Sequence, residues 1–374
     1  MLNVFSESTN KLKDFKVTVG EVQLEKSTIS SIEIAYDNTR PIVRAQLYFA
    51  DLYDMNMITD WSEIKVEIVL VDVLDDMFVR SFNVVSVDEP KETMGRKSMI
   101  LNLVDEFSYK LSKSYISRSF DVPLNEALME IIEDLEIDKI PFIDLDFSEV
   151  PHEKPYMTVK NSNTLTYFTR ELYRKGYTFY QSKNGIHIKS LEDLTPRDLP
   201  LNGLFSDHSR NQYYMNKIIE SDVRQNDRTN VEAESVSVAY DSNTKEIKRI
   251  NEDPLDSLRL NSKPVKLNEG TTTQEFMQSQ LDPEERKLNL KREYMDQNIL
   301  QIWVAGFIKN DLNQIYETAI KGNETFTGSQ QRGDESISGK YISKQIQEKI
   351  IGGNYAQMIT LHRADRVSTL KDEE

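Results

Sequence analysis

Asp144 and Asp146 stand two residues apart. If this stretch is a β-strand, both carboxyls lie on one face, and paired acids are what glycoside hydrolysis uses. That chemistry also needs a carboxyl separation of roughly 5–9 Å and an aromatic-lined cleft. Spacing along the chain supplies neither, so surface acids are the competing reading. Only four histidines occur, His152, His187, His208 and His362. His152-Glu153 is followed by Tyr156 where a zinc-protease helix needs a second histidine. His187 and His362 fall in strand-like segments and are assigned to strand faces. Asp134, Glu136 and Asp138 begin like a calcium loop, but Lys139 replaces the required glycine and Leu145 the bidentate glutamate. Gly339-Lys340 is followed by Tyr341 instead of Ser or Thr, and Gly333 lies one residue too far upstream for a phosphate loop. No Gly-x-Ser-x-Gly elbow occurs. The absence of cysteine removes disulfides, thiolate metal sites and thiol nucleophiles. No catalytic, cofactor-binding or metal-ligating residue is therefore assigned. A cell-wall glycan hydrolase using Asp144 and Asp146 is kept as the alternative of another class.

The chain has 374 residues, with 46 Lys and Arg against 62 Asp and Glu, a formal charge of −16. This length suggests two to three domains, and 38% hydrophobic with 29% charged residues marks a globular chain. Gripping nucleic acid needs clustered cations, and the acidity argues against that as the main task. One stretch stands out: Asp121 to Glu153 holds eleven acids and a single base, Lys139. A solvated helix face with an acidic loop accounts for it, and a cation or basic partner is the sharper reading. The N-terminus lacks the basic region and apolar run of a secretory signal. The longest apolar stretch, Ile302 to Ile308, falls far short of the ~20 residues that span a bilayer, so no membrane span is expected.

These residues must be positioned by two kinds of element. In the first hundred residues Phe15, Val17 and Val19 alternate with polar neighbours, as do Val43, Ala45, Leu47 and Phe49, and then Ile64, Val66, Ile68 and Leu70. Period-two alternation buries one strand face, and six such strands without a long helix suggest an antiparallel barrel or sandwich. A phase slip from Phe82 and Val84 to Val85 and Val87 suggests a β-bulge. Leu124, Ala127, Leu128, Ile131, Ile132 and Leu135 then form one helical stripe, with Asp121 as expected N-cap and Pro123 in the first turn. A second helix runs from an Asn163 cap to Lys175 and ends at Gly176. Asn184-Gly185 reads as a hairpin turn needing positive φ at both residues. Residues 190–212 read as a connection. Strands resume near Met215, and Val236–Tyr240 and Ile247–Ile250 form a hairpin. An insert follows, with a helix starting at Asp282-Pro283-Glu284-Glu285. The closing strands are Ile302–Ile308, Ile315–Ile320, Tyr341–Ile350 and Tyr355–Leu361, the last two joined by Gly352-Gly353-Asn354.

The expected fold is a β-rich α+β chain with two antiparallel β-barrel domains and two smaller helix-containing domains. Residues 1–113 are the first barrel and 114–205 an α/β domain of two helices and a hairpin. Residues 206–250 and 301–366 are the second barrel, 251–300 a helical insert and 367–374 a polar tail.

Four stretches in this order resemble the baseplate hub proteins of contractile-tailed bacteriophages, a fold shared with the base of type VI secretion spike proteins. They are Leu101–Glu106 with Ser117–Phe120 and the helix from Pro123; Asn163–Leu172 with Gly176–Tyr180; the capped helix after Asp282 leading into Ile302–Ile308; and Gly339–Ile342 through Gly352-Gly353-Asn354-Tyr355 to Leu361. The resemblance implies tube-like barrels and a homotrimeric ring joining the tail tube to a central spike. Its implied partners are the spike protein, the tube protein or tube initiator, and baseplate wedge proteins. DNA would pass through the lumen without specific binding, and three chains of −16 would make that lumen acidic. The location implied is the virion tail baseplate, after synthesis in the host cytoplasm. Because the chain ends after the second barrel, the spike is expected to be a separate protein. A hub or tail-tip protein of a related injection system or long-tailed phage is the alternative.

Overall fold

The structure is a computed structural model. It describes residues 10–52, 54–58, 60–93, 96–137, 139–140, 144–147, 150, 157–190, 201–206, 218–225, 235–241, 246–252, 298–319 and 339–363. Of the expected insert 251–300, residues 253–297, with the helix after Asp282, lie outside the described residues, as does the polar tail 367–374.

Most described strands join one fourteen-stranded sheet. Its first half comes from the N-terminal block: Asp14–Val19, Ile29–Asp37, Arg44–Ala50, Lys65–Val71, Met77–Thr93 and Arg96–Asp105. Its second half includes Ile218–Gln225, Asn298–Ala305, Ile315–Ala319, Gly339–Ile351 and Asn354–Arg363. The halves meet where Gly339–Ile351 pairs antiparallel with Ile29–Asp37, Ile346 opposite Tyr36 and Ile350 opposite Ile32. The expected alternation is present throughout: Val17, Ile32, Leu47, Ile68, Leu101, Ile302 and Ile359 all face inward with no exposure. They belong to a single core cluster drawing on both halves. A sheet that feeds one core from both ends of its strand order must curl, and its twist lets it do so. The chain is thus β-rich, with a large curled sheet and three α-helices among the described residues.

Several local expectations meet the structure directly. The phase slip after Val84 is a register shift between Val84 and Ser86, which leaves Val85 exposed. Gly352 and Gly353 both have positive φ, +56° and +83°, as a tight two-residue hairpin turn requires. Helix α2 spans Leu124–Asp134 and buries Leu124, Ala127, Leu128, Ile131 and Ile132. Helix α3 spans Thr164–Arg174, and its Asn163 cap accepts a hydrogen bond from the Thr166 amide. Gly176 follows at φ +84°. These two helices and the helix before them enclose a second core with Phe107, Leu111, Phe168, Leu172 and Phe179.

Four expectations need correction. Asp121 does not cap α2: Pro123 is the cap residue, without a side-chain bond, because the ring's fixed φ already sets the entry. Helix α1, Glu106–Lys113, lies where only strand was expected to end. Asp105 caps it by accepting from the Ser108 amide, a signal present in Asp105-x-x-Ser108. The stretch 190–212 contains the strand Leu201–Ser206, which pairs parallel with Ile315–Ala319 in the large sheet. The strand expected over Ile302–Ile308 runs Asn298–Ala305 and gives way to turns.

Candidate functional site at the block junction

Asp144 and Asp146 do lie in a strand, Asp144–Phe147, and both are exposed. This strand pairs parallel with Gly185–Ser190, which pairs antiparallel with Tyr177–Gln181. The two acids do not act as a pair. Asp146 accepts from Lys189 Nζ at 2.6 Å and meets His187 Nδ1 at 3.3 Å. The Lys189 ammonium holds the Asp146 carboxyl below the usual carboxylate range. A general acid in glycoside hydrolysis needs the opposite shift.

The expected hairpin is present, but neither Asn184 nor Gly185 has positive φ among the described residues. Gly185 serves a different need. A Cβ there would sit 2.4 Å from the carbonyl oxygen of Asp144. Only glycine lets the parallel strand approach this closely. His187 lies in the hairpin, stacked on Tyr180 at 4.9 Å and bonded through Nε2 to Ser182 Oγ at 2.9 Å. Burial lowers its pKa, and Asp146 partly offsets that shift. His362 is buried in Asn354–Arg363, while His152 and His208 lie outside the described residues. Among the described residues no three metal-ligating side chains come together. No described helix is long and apolar enough to cross a membrane.

The densest chemistry is where the hairpin tip enters the large sheet. Lys183 is 2% exposed, and its Nζ lies 2.5 Å from Glu348 Oε1, itself 1% exposed. Lys183 Nζ also donates to the Phe307 carbonyl at 3.2 Å, and its amide donates to Asp311 Oδ1. Glu348 Oε1 further accepts from the Tyr355 hydroxyl at 2.5 Å and from Gln357 Nε2 at 2.9 Å. Burial raises the Asp311 pKa, partly countered by the Lys183 charge. Burial likewise pushes the Tyr180 hydroxyl up to about 12.

From the N-terminal block, the Arg80 guanidinium donates to the Ser182 carbonyl at 2.8 Å and to Gln181 Oε1 at 3.3 Å. Gln181 Nε2 reaches the Pro41 carbonyl at 2.6 Å and Asp105 Oδ1 at 2.8 Å. Asp105 Oδ2 in turn accepts from the Val43 amide. One hairpin thus ties three parts of the chain by buried charge-assisted bonds, the stronger kind. The carboxylates of Asp105, Asp311 and Glu348 each already accept from donors within the chain.

None of Arg80, Gln181, Lys183, Asp311 or Glu348 stands out in the sequence. Lys183 sits in Ser-Lys-Asn-Gly, which reads as a solvent turn. Glu348 carried a usable signal: it shares the inward phase of Ile346 and Ile350, and an acid on that phase needs a buried partner.

No family model matches the sequence, and no curated protein matches it. Solved structures do. A tail protein from Neisseria meningitidis MC58 aligns over 93% of this chain and 96% of its own, with TM-score 0.59 and 11% identity. The 43 kDa tail protein of prophage MuSo2 from Shewanella oneidensis aligns over 94% and 98%, with TM-score 0.59 and 9% identity. An E. coli type VI secretion component, described as structurally similar to the T4 bacteriophage tail proteins gp27 and gp5, aligns over 96% and 80%, with TM-score 0.50 and 9% identity. Identity this low makes the likeness one of fold. The fold is that of phage and prophage tail proteins and type VI secretion components, the hub-like fold the sequence resembles.

Proposed function

We propose that this chain is a non-catalytic baseplate hub of a contractile phage tail. Three copies close into a ring that joins the tail tube to a central spike and forms part of the DNA conduit. The observation that carries this reading is the pairing of Gly339–Ile351 with Ile29–Asp37. It joins the two β blocks into one curled sheet, which suits a segment of a larger collar. In this reading residues 1–113 and 206–250 with 301–366 are the two tube-like units of each chain, and 114–205 braces them from outside. The ring also covers sheet edges that would otherwise invite wrong pairing. Tube or tube-initiator protein, spike and wedge proteins are its partners, and the virion tail is its place.

A hub of a related injection system is the second reading, favoured by the likeness to the type VI secretion component. The hydrolase reading is disfavoured by the ion-paired state of Asp146.

The test is the mass of the particle with its spike, by light scattering. Three chains of 43.4 kDa give about 130 kDa plus the spike. A species holding a single copy of the chain overturns the ring. A peptidoglycan zymogram with a lytic band lost in Asp144→Ala and Asp146→Ala overturns the non-catalytic assignment.

A further inference from the structure

Ser182, His187 and Asp146 form a chain of contacts that joins the hairpin tip to the neighbouring parallel strand. Ser182 Oγ is 2.9 Å from His187 Nε2, and His187 Nδ1 is 3.3 Å from Asp146 Oδ2. This is the residue order of a serine-hydrolase triad, but the hydroxyl is not free to attack. Ser182 is 4% exposed, and its oxygen accepts from the Asn184 amide at 3.1 Å and from the Gly185 amide at 3.2 Å. A hydroxyl has two lone pairs and one proton. With both lone pairs occupied, Ser182 can only donate to the imidazole, so Nε2 carries no proton and Nδ1 carries one. The far side of the imidazole agrees, because Nδ1–H faces a carboxylate that only accepts. Geometry at both ends fixes one neutral tautomer.

We propose that these three side chains are a proton-operated latch, in which the neutral His187 imidazole holds the hairpin tip in the block junction and the protonated imidazole lets it go. Imidazolium carries a proton on each nitrogen. Its Nε2–H would point at an oxygen with no lone pair left, so the Ser182 hydroxyl must swing away and release the Asn184 or the Gly185 amide. Those two amides, with the Ser182 amide on the Gly185 carbonyl at 2.8 Å, close the tip. The tip in turn carries the ties of the junction. The Ser182 and Lys183 carbonyls accept from Arg80, the Lys183 amide donates to Asp311, and the Lys183 ammonium pairs with Glu348. One proton on His187 is thus coupled to bonds that reach both β blocks. The charged and titratable groups around it are Asp144 and Asp146 on the parallel strand, Tyr180 on the antiparallel one, Lys189 on its own, and Asp311 with the Glu348-paired Lys183 at the tip. Lys189 shares Asp146 with the imidazole, which limits the pull of that carboxylate on a second proton. Burial opposes charging and outweighs Asp146 and Asp311, so the latch is shut at neutral pH and opens in mild acid. It works within a single chain and does not depend on three copies closing.

Nuclear magnetic resonance of the full chain with isotope-labelled histidine reads the tautomer and the titration of each imidazole, and His187 is the signal lost in His187→Gln. At neutral pH it should show a proton on Nδ1 and none on Nε2, with a midpoint below the ordinary histidine value. Ser182→Ala removes the donor that favours the neutral form and should raise the midpoint. Asp146→Asn removes the anion that favours the charged form and should lower it. An Nε2 proton at neutral pH, or a midpoint unmoved by Ser182→Ala, overturns the latch. Amide hydrogen exchange, corrected for the intrinsic effect of pH, reads the opening itself. As pH falls through the His187 midpoint, the Asn184 and Gly185 amides should open about fivefold more often, as the loss of one hydrogen bond gives, while the helix Leu124–Asp134 stays unchanged. His187→Gln keeps an acceptor near the place of Nε2 and does not titrate, so its tip should stay shut over the same range. Asp311 does not supply the change, because its raised pKa makes the junction firmer in acid. Equal loosening in His187→Gln, or none in the wild type, overturns the proposal.

Discussion

The Lys183 ammonium meets the Glu348 carboxylate at 2.5 Å with both side chains almost fully enclosed. One residue comes from a hairpin tip, the other from the strand that joins the two β blocks. Breaking a buried pair from one side strands the other charge and costs about 3–5 kcal/mol. Glu348→Ala and Lys183→Met should each lose about that much in urea denaturation. The double variant Lys183→Met with Glu348→Ala should lose less than the sum of the two, because neither charge is then left buried without its partner. Additive losses would show that the two groups do not interact.

Asp311 gives the junction a pH dependence. Its folded pKa is raised, so its favourable contribution is complete below the ordinary carboxylate value and is lost as pH rises through the raised one. Asp311→Asn keeps an oxygen for the Lys183 and Leu312 amides. It should flatten that loss and leave the melting temperature at neutral pH equal or higher. Asp311→Ala, which leaves both amides unpaired, should melt lower. His187 has the opposite sign: its lowered pKa makes stability fall as pH drops through the ordinary histidine range.

Gly185→Ala and Gly352→Ala separate two reasons for glycine. At Gly185 the added carbon meets the Asp144 carbonyl at 2.4 Å, and overpacking of this kind costs about 1–3 kcal/mol. Hydrogen exchange should report it as loosening of Asp144–Phe147. At Gly352 nothing lies within 4 Å, but φ is +56°, so the cost is the left-handed backbone alone, about 1–2 kcal/mol. Loosening of Asp144–Phe147 in the Gly352 variant would contradict this assignment.

Leu128→Asp places a carboxylate in the fully buried stripe of α2. It should abolish cooperative melting of the helical block, since an unpaired buried charge is among the few severe single-residue lesions. Unchanged melting would mean that this stripe is not core.

Local order was legible wherever a residue acts on its own neighbours. The inward phase of Val17, Leu47 and Ile302, the bulge after Val84, the Asn163 cap and the Gly352-Gly353 turn all follow from spacing of a few residues. The helix at Glu106 was marked by Asp105 and Ser108 but hidden behind a continuous strand pattern. Asp144 and Asp146 were rightly given one strand face, yet the chemistry of Asp146 was decided by Lys189 and His187, some forty residues away.

Alternation dictates which side of a strand is apolar, because the backbone repeats every two residues whatever it pairs with. That much the chain carries in its letters, and so does the stripe of each helix. Backbone donors and acceptors are the same on every strand, so the letters do not say that Gly339–Ile351 lies beside Ile29–Asp37, or that a lysine in a turn goes inward to meet Glu348. Those outcomes depend on which surfaces remain to be covered once the local elements exist, and only the assembled tertiary structure decides them.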